Sequence, residues 1–258
     1  MAQVGAEVRG LLAEHGSPVV GFADLRVLDI AARQGFDTGI VFGLPHSREA
    51  MVENAAGSPR RYYAEFLALN DRLAELSTLV AGCLVTSGYK AWAKTMSAVV
   101  EGGDLRTVLP HKTVATLSGV GWIGKPGVLV TREVGSALRL GVVLTDAPLE
   151  YGTPVTASAC PDHCQACLPP CPGRCISGRQ WAVATEDAQG GPVAVDRDAL
   201  LDPFACRTAA RARACELLGV NVTVCGLCLA HCPFTMRGLG YRTDDIDAAS
   251  RTLTGATA

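Results

Sequence analysis

The hydrophobic positions near the start of the chain follow first a helical and then a strand-like pattern. Apolar residues recur every three or four positions between residues 2 and 15, which predicts a helix that ends before Gly16 and Pro18. Short apolar runs at 18–23 and 39–44 predict two strands. A helix followed by strands indicates a mixed α and β arrangement for this part of the chain.

The most regular apolar pattern predicts a long helix from about Pro59 to Val85. Ser58 is the expected N-cap, and Pro59 suits the first helical position, where its missing N–H has no intrahelical partner to lose. The apolar stripe steps alternately by four and three residues and consists of Tyr62, Phe66, Leu69, Leu73, Leu76, Val80 and Cys83. Because such a stripe packs against a core, Cys83 is expected to be a buried, inert thiol.

Two later apolar runs, at 127–131 and 138–145, are separated by the turn-rich residues 133–136. Two strand-like runs joined by a short polar turn predict a β-hairpin. The first half of the chain therefore reads as an α+β domain.

Composition, charge and hydropathy argue against three broad classes of protein. With 258 residues and 48% hydrophobic content, the chain can bury a sizeable core, which excludes intrinsic disorder for most of it. The net charge of -2 argues against a basic surface of the kind that binds duplex nucleic acid. No apolar run approaches the ~18 residues that a membrane-spanning helix needs.

The cysteines are concentrated in the second half of the chain. Ten of the eleven lie between Cys160 and Cys232, which predicts a first domain over 1–155 and a second over 156–258. The N-terminus has no basic region followed by an apolar core, so we expect a cytoplasmic protein. In that reducing compartment, a dense block of cysteines more often binds metal than forms disulfides.

The cysteine spacing predicts two [4Fe-4S] clusters. The unit C-x2-C-x3-C-P occurs twice, ending at Pro172 and at Pro233, and is close to the run found in two-cluster bacterial ferredoxins. In those proteins the cysteine before the proline ligates the other cluster. This rule predicts one cluster held by Cys160, Cys164, Cys167 and Cys232. It predicts a second cluster held by Cys206, Cys225, Cys228 and Cys171.

Two of these assignments leave alternatives. Cys160 precedes Cys164 by four positions rather than three, and Cys206 lies far upstream of Cys225, so Cys175 or Cys215 could replace either of them. Zinc is the alternative metal, because paired C-x2-C units also hold tetrahedral Zn²⁺. A zinc ribbon does not explain the repeated C-x3-C-P unit, and iron–sulfur clusters are therefore the favoured interpretation.

The glycine-rich segment 119–127 matches two nucleotide-binding patterns, G-x-G-x-x-G and G-x-x-x-x-G-K. Neither fits its surroundings, since a helix-like segment precedes it, a strand follows, and Pro126 stands where a P-loop has Ser or Thr. One interpretation is a turn whose backbone amides approach a ligand, with Lys125 available to an anionic group. The alternative is a helix-to-strand connection that needs positive φ.

Taken together, these motifs resemble the epoxyqueuosine reductase family. The resemblance covers about residues 105–235 and rests on Gly119–Lys125, Gly135-Ser136, Leu140–Leu149 and the double C-x2-C-x3-C-P block. It implies a nitroreductase-like, cobalamin-binding α/β domain followed by a two-[4Fe-4S] ferredoxin-like domain, as in the related reductive dehalogenases. The clusters would pass electrons from a ferredoxin or flavodoxin type of donor to cobalamin, which would reduce a small-molecule substrate or a corrinoid.

The resemblance also implies roles for individual residues. The residues expected near the corrinoid are Gly121, Trp122, Ile123, Gly124, Lys125, Gly127 and Lys112. The candidate proton donors are Asp104, His111 and Tyr89, with Tyr63 as a further possibility. Asp104 is shifted by one position from the acidic residue that the family places before its glycine motif.

The shift of Asp104 and the length of the chain past Pro233 both depart from the family and change the expected substrate. The chain continues about 25 residues past Pro233, whereas epoxyqueuosine reductases carry helical repeats that contact tRNA. We therefore expect a short form for which nucleic acid is an unlikely partner. FMN in place of cobalamin is one alternative. An electron carrier, or a reductive activator of a partner corrinoid protein, is another.

Overall fold

The computed structural model describes residues 2–95, 102–184, 193–194 and 197–255. The chain forms two compact units, and each is assembled from separate stretches of sequence. The first unit comprises residues 1–45, 67–122 and 138–155. The second comprises residues 46–66, 123–137 and 156–258. The sequence predicts a single boundary near residue 155, whereas the structure groups the earlier segments 46–66 and 123–137 with the second unit. A composition shift marks where the cysteines begin, but it does not reveal which earlier segments pack beside them.

Most of the described elements are short, and the longest is the helix α3. The helices are α1 (Ala2–Glu14), α2 (Arg48–Ala55), α3 (Arg60–Thr86), α4 (His111–Leu117), α5 (Arg197–Leu200), α6 (Pro203–Leu218), α7 (Leu227–Ala230), α8 (Pro233–Gly238) and α9 (Thr243–Thr254). The strands are β1 (Val19–Asp24), β2 (Thr38–Pro45), β3 (Ala91–Ala93), β4 (Trp122–Ile123), β5 (Leu129–Val130), β6 (Leu138–Thr145), β7 (Val183–Ala184) and β8 (Val193–Ala194). None of the helices in the described ranges has both the length and the apolar character that crossing a bilayer requires.

The first unit is built on a four-stranded antiparallel sheet with the order β1-β2-β6-β3. Strands β2 and β6 pair along their full length, from Thr38 opposite Thr145 to Pro45 opposite Leu138. Phe42 lies opposite Gly141, where a Cβ would come within 2.5 Å of the Phe42 ring. Glycine at this position therefore lets the aromatic side chain lie flat over the neighbouring strand.

Helices α1 and α3 cover this sheet and complete the core of the first unit. The core residues share nearly complete burial and come from both helices, three strands and the segment that follows β6: Val8, Leu12, Phe22, Ile40, Phe42, Leu44, Leu73, Leu76, Val80, Leu84, Val143, Ala147 and Leu149. The predicted N-terminal helix, first two strands and long helix are confirmed within one or two residues. Cys83 is half-buried rather than buried, because Leu84 occupies the core-facing position at that end of α3.

The predicted hairpin between 127–131 and 138–145 is wrong. Strand β5 pairs with β4, whereas β6 joins the large sheet between β2 and β3. The turn residues instead pack on α8, since a Cβ on Gly135 would lie 2.2 Å from the Thr235 nitrogen and the Ser136 N–H donates to Thr235 Oγ1 at 2.9 Å. Turn chemistry predicted a local pairing that tertiary packing overrides.

The second unit contains a helical core and ten of the eleven cysteines. Helix α2 packs on α7 and α9, and its core includes Met51, Tyr62, Tyr241 and Ile246. Helix α6 begins at the N-cap Asp202, whose carboxylate accepts hydrogen bonds from the next helical N–H groups, and ends at a glycine in the left-handed conformation.

Candidate metal centre

Five cysteines lie on an irregular segment, residues 157–176, which we call the cysteine loop. Consecutive turns shape it: Cys164 N–H donates to the Pro161 carbonyl, Cys171 N–H to the Leu168 carbonyl, and Arg174 N–H to the Cys171 carbonyl, at 3.0 to 3.1 Å. Its prolines lack N–H donors and disfavour a regular helix. The loop therefore presents a thiol every three or four residues without forming a helix.

The other cysteines of the motif are placed by short helices. Cys206 lies in the first turn of α6, Cys228 lies in α7, and Cys225 precedes α7 by two residues. Cys232 is the N-cap of α8, and Pro233 begins that helix, as its fixed φ favours. Pro233, which follows the cysteine, thus begins α8 and leaves Cys232 at its N-cap position.

Eight of the ten thiols of the second unit lie near the partners that the spacing assigns to them, and these form two groups. Burial raises the pKa of Cys167 to about 11, and the nearby Cys232, Cys164 and Cys160 raise it further because each ionised neighbour disfavours another thiolate. These four residues are the first group. Each belongs to the set that the spacing assigns to one cluster.

Burial likewise raises the pKa of Cys228, and Cys225, Cys206, Cys167 and Cys171 add to the rise. Cys167 belongs to the first group, and the other four residues, Cys228, Cys225, Cys206 and Cys171, are the other predicted set, which we call the second group. Within the described ranges, no three His, Cys, Asp or Glu side chains adopt an arrangement suited to a single metal ion. Ligation of the clusters themselves stays a prediction.

The two cysteines that the spacing left as alternatives differ in position. Cys215 is exposed on α6. Cys175 is buried, and its Sγ atom lies 3.3 Å from that of Cys171. Cys206 is also close enough for its charge to affect Cys175. The second group therefore has a fifth thiol beside it, on the side of Cys171 and Cys206.

The glycine-rich turn supports the cysteine loop. Lys125 is 3% exposed, and its Nζ donates to the carbonyls of Asp162 at 2.9 Å and Cys164 at 2.7 Å. A Cβ on Gly124 would lie 3.6 Å from Cys160 Sγ, so the backbone there passes close to the first group. The sequence left open a ligand-binding turn and a helix-to-strand connection that needs positive φ, and it gave no sign of this partner. Gly119 and Gly127 do adopt positive φ, at 80° and 70°.

The cofactor role predicted for this turn remains untested. Residues 121–127, among them Gly121, Trp122, Ile123 and Gly127, are all buried, and Lys112 is half-buried on α4. The ammonium group of Lys125 has three donors, of which the two described bonds use two. Contact of these residues with a corrinoid stays a prediction.

Sequence reasoning missed a basic residue beside the second group. The Asn54 side chain donates to the Cys225 carbonyl at 2.9 Å, and Arg213 donates to the Asn54 carbonyl at 3.2 Å. Burial raises the pKa of Cys225, and the guanidinium of Arg213 opposes that rise. Nothing local in the sequence marks Arg213, which reaches the site only because α2 and α6 lie in the same unit.

The candidate proton donors occupy different environments. Asp104 is exposed and pairs with Arg106, whose Nε lies 3.5 Å from the carboxylate. Tyr89 is half-buried and packs against the core of the first unit. Tyr63 packs against the helical core of the second unit.

His111, the first residue of α4, is held as a neutral imidazole. Burial lowers the pKa of His111 to about 4, although a hydrogen bond to the Leu140 carbonyl opposes the shift. Nδ1 lies 3.1 Å from that carbonyl, which can only accept, so the proton is on Nδ1. Catalytic roles for Asp104, His111 and Tyr89 stay predictions.

The chain is similar in sequence to epoxyqueuosine reductases. No family model matches it. It is 46% identical over 69 residues to the epoxyqueuosine reductase of Synechococcus sp. (strain RCC307), a match covering 27% of this chain and 21% of the relative. It is 33% identical over 134 residues to that of Gloeobacter violaceus, covering 49% and 36%. The matches thus span about a fifth to a third of these relatives.

Solved structures share the fold over most of this chain. A catabolic reductive dehalogenase superposes with a TM-score of 0.66 at 17% identity, covering 95% of this chain and 33% of that one. An epoxyqueuosine reductase in complex with a tRNA-Tyr stem loop gives 0.58 at 15% identity, covering 95% and 68%. The Bacillus subtilis epoxyqueuosine reductase gives 0.56 at 16% identity, covering 91% and 66%. The resemblance that the motifs indicated is therefore confirmed, and the relatives are reductases.

Proposed function

We propose that this chain is an iron–sulfur oxidoreductase that passes electrons through two [4Fe-4S] clusters to a cobalamin, which reduces a small-molecule substrate. The observation that supports it is the presence of two groups of four cysteines in one unit. The first group, Cys160, Cys164, Cys167 and Cys232, would hold one cluster. The second group, Cys171, Cys206, Cys225 and Cys228, would hold the other.

The donor set fits clusters well. Thiolates are the ligands of [4Fe-4S] clusters, and each group offers four of them. Buried surroundings and hydrogen bonds from nearby backbone N–H groups are the means by which a protein adjusts a cluster's potential. Cys232 is affected by both factors. Burial acts on its thiol, and the Phe234 and Thr235 N–H groups at the start of α8 donate hydrogen bonds to it.

Cobalamin is supported by the likeness to reductive dehalogenases. One such structure, which suggests a mechanism for B12-dependent dehalogenation, has a TM-score of 0.66 and covers 95% of this chain. A bound cobalamin would supply a cobalt ion that accepts electrons singly and delivers them to the substrate. The comparisons above offer no support for FMN.

Among the candidate proton donors, we favour Asp104. His111 keeps its Nδ1 proton directed at the Leu140 carbonyl, and Tyr89 packs in a hydrophobic core. Asp104 is exposed on a loop, where its carboxylate can reach a bound molecule. In the Bacillus subtilis epoxyqueuosine reductase, an aspartate is carried on a catalytic loop that has been seen swung out of the active site.

Anaerobic reconstitution followed by iron, zinc and corrinoid analysis tests this function. We expect about eight irons per chain, the sum of two [4Fe-4S] clusters, and binding of added cobalamin. Cys228→Ala should lose about half of the iron, whereas Cys215→Ala, on an exposed thiol, should keep it all. Stoichiometric zinc without iron would contradict the clusters. Eight irons without cobalamin binding would leave an electron carrier instead.

A further inference from the structure

Cys175 is a fifth thiol at a site that needs four. Its side chain is 8% exposed and packs with Cys171, Cys206 and Cys228. Its Sγ lies 3.3 Å from Cys171 Sγ, a hydrogen-bond separation that is much longer than the ~2.05 Å of a disulfide. The two sulfur atoms therefore occupy nearly the same position in the site.

Backbone hydrogen bonds within the cysteine loop and to the start of α6 hold Cys175 in this position. Arg174 adopts a φ of 46°, and its N–H donates to the Cys171 carbonyl at 3.1 Å, so the chain turns back directly after Cys171. The Cys175 carbonyl accepts a hydrogen bond from the Asp202 N–H at 2.9 Å. Asp202 is the N-cap of α6, the helix that carries Cys206. Cys175 is thus tied to the elements that place two ligands of the second group.

The surroundings of Cys175 favour a ligand rather than a surface thiol. Ile176 and Leu201 pair in an isolated bridge next to it, and Leu168 and Ala205 complete an apolar wall. Two ionised thiolates at 3.3 Å would repel each other strongly in such surroundings. Cys171 and Cys175 therefore suit a single coordination position, with one sulfur bound to iron as a thiolate and the other, as a thiol, donating an S–H···S hydrogen bond to it.

We propose that Cys175 is an alternative ligand of the second cluster and shares a coordination position with Cys171. The exchange balances without any oxidant or reductant. The Cys171–iron bond breaks, the Cys175–iron bond forms, and the Cys175 proton moves to the departing Cys171 sulfur. This inference rests on the proposed function, since it requires that the second group bind a cluster.

The test compares the iron and sulfide contents of the wild type, Cys171→Ala, Cys175→Ala and the double variant after anaerobic reconstitution. We expect about eight irons in the wild type and in both single variants, and about four in the double variant. The low-temperature spin-resonance signal of the reduced second cluster should change in Cys171→Ala, because a different sulfur binds the iron. Cys215→Ala is the matched control and should match the wild type in both measurements.

The outcomes separate the inference from the proposed function. A wild type without clusters overturns both. A wild type with eight irons, together with a Cys171→Ala variant that holds four or fewer, overturns the shared position and leaves the two clusters standing. Eight irons in the double variant would also overturn it, because neither sulfur would then be needed.

Discussion

The sheet of the first unit and the cysteine loop of the second are stabilised by different means. The first unit buries a continuous core of aliphatic and aromatic side chains from α1, α3 and three strands. The cysteine loop has one small buried cluster, Cys167, Cys175 and Ile176, and two of its three members are thiols. Burial of so little apolar surface does not offset the backbone entropy lost on ordering the loop. Under the proposed function, metal–thiolate bonds would supply the stability that this loop lacks from apolar burial.

Removal of iron should produce the largest effect. It should disorder the cysteine loop and leave the sheet of the first unit folded. Because metal binding at such sites is coupled to folding, chelation is expected to abolish the order of the cysteine loop. Amide hydrogen exchange is the measurement. Amides of 160–176 should lose protection in the apoprotein, whereas those of β2 and β6 should keep theirs. Equal loss in both regions would show that the sheet also depends on metal.

Truncation of a side chain in the core of the first unit should destabilise the sheet and leave the iron content unchanged. Leu76 is fully buried on α3, and Leu76→Ala should lower the free energy of unfolding of the sheet by about 2–5 kcal/mol. Leu79→Ala, at a position 46% exposed on the same helix, should change it by less than about 0.5 kcal/mol. Chemical denaturation measures both, and iron content should stay near that of the wild type. A loss of iron in Leu76→Ala alone would contradict the claim that the two regions are stabilised independently.

The difference between the two regions also explains what the sequence could predict. Helical and strand periodicity located α1, α3, β1 and β2, because each buries one face against a continuous core. The same reasoning failed for β5 and β6, since local turn residues cannot reveal that the two strands join different sheets. Segments 46–66 and 123–137 pack in the second unit through contacts distant in sequence, which no composition shift detects.

At the candidate site, the cysteine spacing predicts two groups of ligands, because the ligand pattern consists of short repeats in the sequence. Residues that act through distant contacts left no such sign. Lys125 lies in a recognisable motif, yet its contact with the Asp162 and Cys164 carbonyls follows from the fold alone. The position of Cys175 beside Cys171 likewise depends on the turn at Arg174.

The smallest predicted effect concerns the electrostatics of the second group. Arg213 lies on α6 near Cys225, and its positive charge should favour the reduced, more negative state of a cluster bound there. Arg213→Gln should therefore lower the midpoint potential of the second cluster. We expect a shift on the order of 40 mV for each ~1 kcal/mol of attraction lost in this one-electron couple. Redox titration monitored by spin resonance is the measurement.

Arg211→Gln, on the exposed side of the same helix, is the control and should leave the potential unchanged. The first cluster should show no shift in either variant. Equal shifts in both variants would mean that the net charge of the helix, rather than the contact near Cys225, sets the potential.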